Sequence, residues 1–538
     1  MNSINKLRLI TVFFLASITQ LIFAQKLQPY ILIIQPIVVQ SDEGTNPASM
    51  ALPESLVDSA YLMAGVDFYF LEPIYYNNTK ARDGEISLNE IVELTQNNGI
   101  IRGNGDIVNM FFVNAVDGNK GPLGRGMMGG SISFICLGEN KNNDPNFEYM
   151  QAFVIAHEVG HNLSLKHVVE DPNIPDTIPN IEGNGEFKDR INPKYSLTDY
   201  QIKIVQKSSL VHLRIQFLSK EEGEKAILDE TFEPYFSQLQ EPEISAFIQE
   251  KVQNDNIETS RDYARKRFSD AVIDFTPKEK ECINFVINRV NQTLLENNLH
   301  TMANHPWRLI KIEDWLCGGF AHTRGTYIIL SQRHIDFLSQ NWKENMSKED
   351  EDILVEKLGG LLVHEQLHSL QRTYKSKFVD LYTNYWDFIE SNNIECDIDM
   401  QKNQVSNPDA PIAEWLIPDS VDSDKYYWTR TMFKETSAIP VMGKDFTDEV
   451  FILSKQKDKY FLERDQNNKP IALSLNNIRF YTNSYPNTRG IDHPNEISAY
   501  MFSDYFVSLV TKQQPWSKQQ KKSEKNAKLF IDWIKKEM

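Results

Sequence analysis

The stretch MQAFVIAHEVGHNLSLKHVVED, residues Met150 to Asp171, predicts a metal-binding helix. Its apolar start runs directly into an H-E-x-x-H motif at His157 and His161. Histidines four apart lie roughly 6 Å from each other on one helix face. Two neutral imidazoles at that spacing can bind one zinc ion at about 2.0–2.1 Å. His167 completes a three-histidine site if the helix ends near Ser164 and the chain turns back.

Glu158 follows the first histidine directly, so it is too close in sequence to be a further ligand on that face. It is predicted to be the general base for a water whose pKa the zinc lowers toward ~7. Three protein ligands with one open position are typical of catalytic rather than structural zinc sites. The alternative is a set of core histidines on an apolar helix, which requires the motif and the third histidine to coincide by chance.

Composition bounds the class of protein. The chain has 538 residues, of which 41% are hydrophobic and 24% charged, as expected for a globular protein of two or more domains. Its formal net charge is −18, and no stripe of basic residues alternates with aromatic residues. These features argue against a nucleic-acid partner.

The first 24 residues have the pattern of a secretory signal peptide. Lys6 and Arg8 precede an apolar run from Leu9 to Ala24, and cleavage is expected before Gln25. The run is short for a membrane span, although an uncleaved anchor is the alternative. We therefore expect a secreted or extracytoplasmic protein with no membrane span after cleavage.

The chain contains four cysteines: Cys136, Cys282, Cys317 and Cys396. They are too few for a disulfide scaffold, and none has C-x-x-C spacing, so a cysteine zinc site is not supported. Outside the cytosol they could pair. Cys282–Cys317 is the most attractive pair, but all three full connectivities stay open.

A second H-E-x-x-H motif, His364 to His368, lies in a helical stretch predicted from Ile353 to Tyr374. The same logic makes His364 and His368 zinc ligands and Glu365 a general base. Tyr374 occupies the place of a third histidine, so the third ligand must come from further along the chain.

Two carboxylates are candidates for that ligand: Glu496 in HPNEISAYMF and Glu435 in MFKETSAI. Glu496 is preferred because it opens an amphipathic helix in which the small Ala499 allows close helix packing. His493 and Tyr500 lie near it in sequence and are candidates for hydrogen-bonding a reaction oxyanion.

The first motif resembles the metzincin signature H-E-x-x-H-x-x-G-x-x-H, with Ser164 in place of the glycine. That glycine takes a positive φ, which costs another residue on the order of 1–2 kcal/mol. The resemblance implies a zinc peptidase that binds its substrate antiparallel along a sheet-edge strand. It also implies a methionine-containing turn under the zinc. Ile191 stands where that methionine would align, so either another apolar side chain lies under the site or this domain has diverged from the family pattern.

The second half resembles the glutamate-type zincins, or gluzincins, in which a carboxylate on a following helix completes the metal site. The chain is thus expected to have an α+β fold with two zincin-like domains. Each would be a small mixed sheet packed on a metal-binding helix. The predicted divisions are a signal peptide (1–24), a metzincin-like domain (25–212), a helical connector (213–274) and a gluzincin-like domain (275–538).

Two functions are consistent with these sequence features. The first is a secreted zinc metallopeptidase with two zinc ions that hydrolyses peptide bonds in protein or peptide substrates. The second is an exported binding or scaffold protein in which one or both domains have lost catalysis.

Overall fold

The structure, a computed structural model, describes residues 27–538 except 104, 122, 139, 141–142, 176, 254–255, 411–414, 435–438, 487–489 and 517–523. The expected signal peptide and the candidate ligand Glu435 lie outside the described residues. Helices and mixed sheets are both present, which confirms the α+β class. The chain divides into two compact units, Met1–Arg214 and Ile215–Met538.

The first unit is built on a seven-stranded mixed sheet. Its central strand, β1, is an apolar run that is buried on both faces, as expected for a strand inside a mostly parallel sheet. The sheet order is β2-β1-β4-β6-β5, with β3 and β7 also paired to β1; β5 and β7 are antiparallel to their neighbours. The strands are β1 (Tyr30–Gln40), β2 (Val66–Phe70), β3 (Ile74–Asn77), β4 (Val108–Phe112), β5 (Leu123–Gly126), β6 (Ile132–Cys136) and β7 (Val211–Leu213).

One long helix, Phe147–Asn162, carries the first H-E-x-x-H motif and is called the first motif helix below. Its apolar residues share a core cluster with β1, β4 and the helix Glu54–Tyr61. Thr198 and Gln201 form a capping box at the start of the helix Asp199–Val205. The remaining helices of this unit are Thr79–Arg82, Leu88–Asn97 and Phe187–Arg190.

The second unit contains two sheets. In the first, the order is β11-β12-β10-β8, with β9 also paired to β10. The predicted connector therefore contributes β8 and β9 to the sheet of the second unit. The strands are β8 (Ile215–Phe217), β9 (Val272–Ile273), β10 (Trp307–Ile312), β11 (His322–Arg324) and β12 (Tyr327–Ser331).

The second sheet of this unit is antiparallel throughout, in the order β13-β14-β15-β16-β17, with β18 also paired to β16. Its strands are β13 (Ile389–Glu390), β14 (Trp415–Pro418), β15 (Lys425–Phe433), β16 (Phe446–Gln456), β17 (Lys459–Leu462) and β18 (Ala472–Ser474).

Two helices of the second unit position its candidate site. The second motif helix, Gly360–Thr373, follows one turn of π-helix at Val355–Gly359 and carries the second H-E-x-x-H. The closing helix, Pro494–Thr511, begins near Glu496. The other helices are Lys220–Ala226, Glu241–Ile248, Ile257–Asp270, Pro277–Glu296, His300–Asn304, Gln332–Asn341, Lys348–Leu354, Lys375–Asp380, Ile398–Asn403, Arg479–Thr482 and Glu524–Glu537.

All four cysteines are free thiols, so the Cys282–Cys317 disulfide considered from the sequence is not formed. Cys282 is a buried residue of the helix Pro277–Glu296, whereas Cys317 belongs to a different hydrophobic cluster. Among the helices in the described part of the chain, none combines the length and apolar character that crossing a bilayer requires.

Candidate metal centres

The first motif helix is fixed against the sheet by its own last residue. Asn162 is fully buried, and its side-chain amide donates to the carbonyls of Gly130 at 2.7 Å and Ile132 at 2.9 Å. Its side-chain oxygen accepts a hydrogen bond from Ser133. These hydrogen bonds fix the position of the helix, and with it the two motif histidines, relative to the sheet.

The turn that follows brings the third histidine back. Ser164 has a φ of +70°, as the sequence predicted for the glycine position of the motif. Its N–H and that of Leu165 donate to the carbonyls of His161 and Gly160, which closes the helix. His167 is thereby returned to the side of the helix that carries the motif.

The three imidazoles converge on one point. His157 Nε2 and His167 Nε2 are 3.3 Å apart, and the ring of His161 stands edge-on to both at centroid distances of 4.7 Å. Tetrahedral ligands bound at 2.0–2.1 Å lie roughly 3.3 Å from one another, so this spacing fits zinc. The three histidines and Glu182 form one group of side chains that could hold a metal ion.

Backbone carbonyls fix which nitrogen of each ring faces that point. Nδ1 of His157 lies 2.9 Å from the Ile181 carbonyl oxygen, and Nδ1 of His161 lies 2.9 Å from that of Leu165. A carbonyl only accepts, so each Nδ1 carries the proton and each Nε2 keeps a lone pair for a metal. Burial lowers the pKa of His157 to about 4 and also lowers that of His161, which favours the neutral form that binds metals.

Glu158 is held against the sheet edge. Its Oε2 accepts a hydrogen bond of 2.6 Å from the N–H of Gly126 on β5. A Cβ on Gly124 would lie 2.4 Å from Glu158 Cγ, so glycine is what lets this strand pass so close to the carboxylate. Burial raises the pKa of Glu158 to about 7, although the Gly126 N–H opposes the shift.

The side chain beneath the imidazoles is Glu182 rather than an apolar residue. Its Oε2 lies 3.1 Å from His157 Nδ1 and 3.7 Å from His161 Nδ1. Ile191, which corresponds in sequence to the methionine expected under the zinc, packs instead in the hydrophobic core of the unit. Of the two alternatives, an apolar residue under these imidazoles is not what the described residues show, because the loop after His167 returns to the helix at Glu182.

In the second unit, glycines allow two helices to pack closely. A Cβ on Gly359 would lie 3.1 Å from Phe506, and one on Gly360 would lie 3.2 Å from Val507. Ser503 of the closing helix donates to the Gly360 carbonyl at 2.8 Å. This packing brings the first turn of the closing helix to the motif histidines.

Glu496 completes the second group of potential ligands. His364 Nε2 and His368 Nε2 are 3.1 Å apart, and Glu496 Oε2 lies 3.5 Å from the first and 3.8 Å from the second. All three side chains are buried, and together they could hold a metal ion. The predicted ligands are thus brought together, whereas Glu435 lies outside the described residues.

Amide side chains orient these ligands. Gln371 Oε1 lies 2.9 Å from His368 Nδ1 and can accept its proton, which turns Nε2 toward the site. The Gln371 amide group in turn donates to Ser498 Oγ and to the Asn495 carbonyl on the closing helix. Asn407 donates to Glu496 Oε1 at 2.7 Å and leaves Oε2 facing the histidines.

The two histidines of the second site differ in their pKa values and therefore in their charge. Burial opposes the charge on His364, but the interactions with Glu496 and Glu365 outweigh it and raise the pKa of His364 to about 9. Burial lowers the pKa of His368 to about 3. In the metal-free site His364 and Glu496 therefore form an ion pair while His368 is neutral.

Glu365, the predicted general base, is more enclosed than its counterpart in the first unit. Its Oε2 lies 3.0 Å from Thr323 Oγ1, and Asp409 accepts the backbone N–H of Thr323 at 2.7 Å. Burial, reinforced by the charge of Asp409, raises the pKa of Glu365 well above its usual range.

A cleft of about 430 Å³ opens onto the second site and is lined by His364, Glu365 and Glu496. Tyr500 also lines it, and its ring packs on that of His364 at a centroid distance of 4.4 Å. His493, the other residue proposed near the oxyanion, caps the closing helix by accepting the Asn495 N–H at its Nδ1.

No protein-family model and no curated protein matches the chain. A crystal structure of archaemetzincin from Methanopyrus kandleri is similar to part of it. The identity is 12%, and the match covers 33% of this chain and 95% of that one at a TM-score of 0.23. A similarity of this size supports no assignment.

Sequence reasoning missed the residues that surround the ligands. Glu182, Asn407 and Asp409 lie in loops, and Thr323 lies in the middle of the short strand β11. All of them are far in sequence from the histidines beside which they lie. Only Asn180-Ile181-Glu182-Gly183, an acidic residue between turn formers in the loop after His167, offered a signal.

Proposed function

We propose that the chain is a zinc metallopeptidase with one metal centre in each unit, acting on protein or peptide substrates. The observation that carries the proposal is the convergence of ligand atoms at both H-E-x-x-H helices. In each case a third side chain from outside the motif lies beside the histidines, and a glutamate follows the first histidine. This combination of three ligands and an adjacent acid is typical of catalytic zinc sites.

In the first unit, His157, His161 and His167 would hold the zinc ion. Bound zinc supplies a Lewis acid that polarises the scissile carbonyl and makes a nearby water more acidic. Glu158 would accept the proton of the attacking water and later donate it to the leaving amine. Its pKa near 7 suits both steps around neutral pH, and the Gly126 N–H holds the carboxylate in place.

A peptide substrate would pair with β5. This strand is at the edge of the sheet, antiparallel to β6, and passes directly beside Glu158. An extended peptide that adds to such an edge places a backbone carbonyl within reach of the neighbouring site. This arrangement supports hydrolysis of extended segments rather than of folded domains.

In the second unit, His364, His368 and Glu496 would hold the metal and Glu365 would serve as the base. Substrate would enter through the cleft of about 430 Å³. One observation favours a different function for this unit. Glu365 is only 2% exposed and is bound by Thr323, which leaves it poorly placed to accept a proton from water. A binding protein with a structural or vestigial second site is therefore the second candidate.

The test is digestion of a broad peptide library by the purified full chain. We expect cleavage that 1,10-phenanthroline abolishes and added zinc restores. Glu158→Gln and Glu365→Gln, alone and together, assign the activity to one unit or to both, because each change removes a base without removing a ligand. Zinc-containing protein that cleaves no peptide, or a double variant that cleaves like the parent, would support the binding function or another catalytic apparatus.

We further propose that the mature protein is exported and begins at Gln25. The basic start, the apolar run and the small residue before the cleavage point support this. N-terminal sequencing of protein recovered outside the cytoplasm tests it, and an intact Met1 would contradict cleavage.

A further inference from the structure

A carboxyl group without a hydrogen-bond partner lies directly beneath the first candidate metal centre. The Glu182 side chain is 0% exposed. The Nδ1 protons of His157 and His161 are directed to backbone carbonyls rather than to it. Within the described part of the chain neither Glu182 oxygen has a hydrogen-bond partner, and its partners at ion-pair distance are these two imidazoles.

The nearest basic side chain does not neutralise this acid directly. Arg190 donates from Nε and Nη2 to the carbonyls of Asn180 and Ile181, and its guanidinium stacks on Phe153 at 3.6 Å. A buried carboxyl without hydrogen bonds costs free energy that the fold must recover elsewhere. A cation on the far side of the imidazoles is the group that would offset this cost.

The position of Glu182 is built into the surrounding chain. A Cβ on Gly160 would lie 2.0 Å from Glu182 Oε1, so only glycine on the motif helix leaves room for the carboxyl. The backbone N–H of Glu182 donates to Asn180 Oδ1 at 3.0 Å, and its carbonyl accepts the N–H of Val168 at 3.0 Å. The Asn180 side chain is itself paired with Gln201.

Glu182 is not placed to be a ligand beside the histidines. It approaches the Nδ1 edges of two rings, whereas the convergence point lies at Nε2, the opposite edge. One imidazole cannot present both edges to the same ion. The contribution of Glu182 must therefore act through the rings rather than by direct bonding.

We propose that Glu182 is a positioning residue whose buried carboxyl, lying against the Nδ1 edges of His157 and His161, acts electrostatically through these rings and raises the affinity of the first centre for divalent zinc. The inference rests on the proposed function, since it requires that these histidines bind zinc. Outer carboxylates that support metal-binding imidazoles typically change metal affinity 10–100-fold.

The experiment uses the full chain carrying His364→Ala and His368→Ala, so that zinc binding reports the first centre. Zinc affinity is measured by chelator competition in this parent and after adding Glu182→Gln, Glu182→Met or Glu186→Gln. We expect both Glu182 variants to bind zinc roughly 10–100-fold more weakly. Glu186→Gln is the matched control, because it makes the same carboxyl-to-amide change four residues further along, at an exposed position outside the ligand group, and it should bind close to the parent.

Cobalt absorption spectra and thermal unfolding of the metal-free proteins separate positioning from a merely structural role. We expect altered cobalt spectra in the Glu182 variants and metal-free melting temperatures equal to or above that of the parent, because an unpaired buried acid has been removed. Parent-like zinc affinity in both variants, or weaker binding accompanied by a lower metal-free melting temperature, would overturn the inference alone. A parent that binds no zinc would overturn the proposed function and this inference with it.

Discussion

Ser164 shows how a single residue can depart from a motif and still keep its backbone conformation. Its φ of +70° lies in the left-handed region, which costs a non-glycine residue on the order of 1–2 kcal/mol. Ser164→Gly should therefore stabilise the metal-free protein by ~1 kcal/mol, measured by denaturant unfolding.

The matched control for that change is Ser59→Gly within the helix Glu54–Tyr61, which should cost ~0.5–1 kcal/mol because helix-interior glycine is unfavourable. If both substitutions destabilise the protein equally, the left-handed strain at Ser164 is offset by contacts of its side chain.

Glu496 is expected to be the ligand that decides zinc retention at the second centre. Glu496→Gln should cost this centre its zinc, whereas Glu365→Gln should keep the metal, because Glu365 bonds to Thr323 instead. Asn407→Ala should weaken binding roughly 10–100-fold by releasing Glu496. Zinc content of the full chain checks all three changes. Retention of zinc in Glu496→Gln together with its loss in Glu435→Gln would move the ligand to Glu435.

The ion pair in the second centre predicts a pH dependence of metal binding. A protonated His364 cannot be a ligand, and its pKa in the metal-free protein is raised to about 9. Zinc affinity at this centre should therefore rise by about tenfold per pH unit from neutral pH to about 9 and level off above that value. Chelator competition in a His161→Ala background measures it. A flat profile over this range would show that His364 is neutral before metal binds.

At the scale of single residues, the sequence predicts site residues that are separated by a fixed spacing along the chain. It misses those that come close to the site only when the chain folds. The sequence identifies the three histidine ligands of the first centre, because helix geometry fixes the spacing of His157 and His161 and a single turn leads to His167. The role of Glu182 cannot be predicted in this way, because its turn-forming neighbours indicate a loop but not that this loop returns under the helix. For the same reason, the sequence does not show that Ile191 packs in the core and that Glu182 lies under the imidazoles.

At the scale of elements, the contact between the second motif helix and the closing helix sets the geometry of the second centre. Gly360 lies where an added Cβ would be 3.2 Å from Val507 and 3.3 Å from Ser503. Gly360→Val should force the helices apart, cost ~1–3 kcal/mol and weaken zinc binding at this centre through displacement of Glu496. Zinc content measures the effect, with the first centre of the same chain as internal control. Unchanged binding at the second centre would show that the start of the closing helix is fixed by other contacts.

The sequence best indicates those elements that have a strong pattern of apolar residues or an N-terminal helix cap. The runs Val66–Phe70 and Trp307–Ile312, rich in aromatic and branched apolar residues, form strands β2 and β10. Thr276 and Glu279 form a full capping box at the Thr-Pro start of the helix Pro277–Glu296. The antiparallel sheet β13 to β18 was not anticipated. Its pairing depends on long-range register, as between β14 and β15, rather than on any signal within one strand.

At the scale of the whole molecule, each unit contributes all the ligands of its own centre. His157, His161 and His167 belong to the first unit, and His364, His368 and Glu496 to the second. Loss of one centre should therefore leave the other intact. We expect elemental analysis of carefully purified protein to give about two zinc ions per chain, which follows from one ion per three-ligand site. His161→Ala and His368→Ala should each reduce the count by about one. His300→Ala, at an exposed histidine outside both groups, should leave it unchanged. If His368→Ala leaves the zinc count at the parent value, the second group is a hydrogen-bonded polar cluster, and any peptidase activity belongs to the first unit.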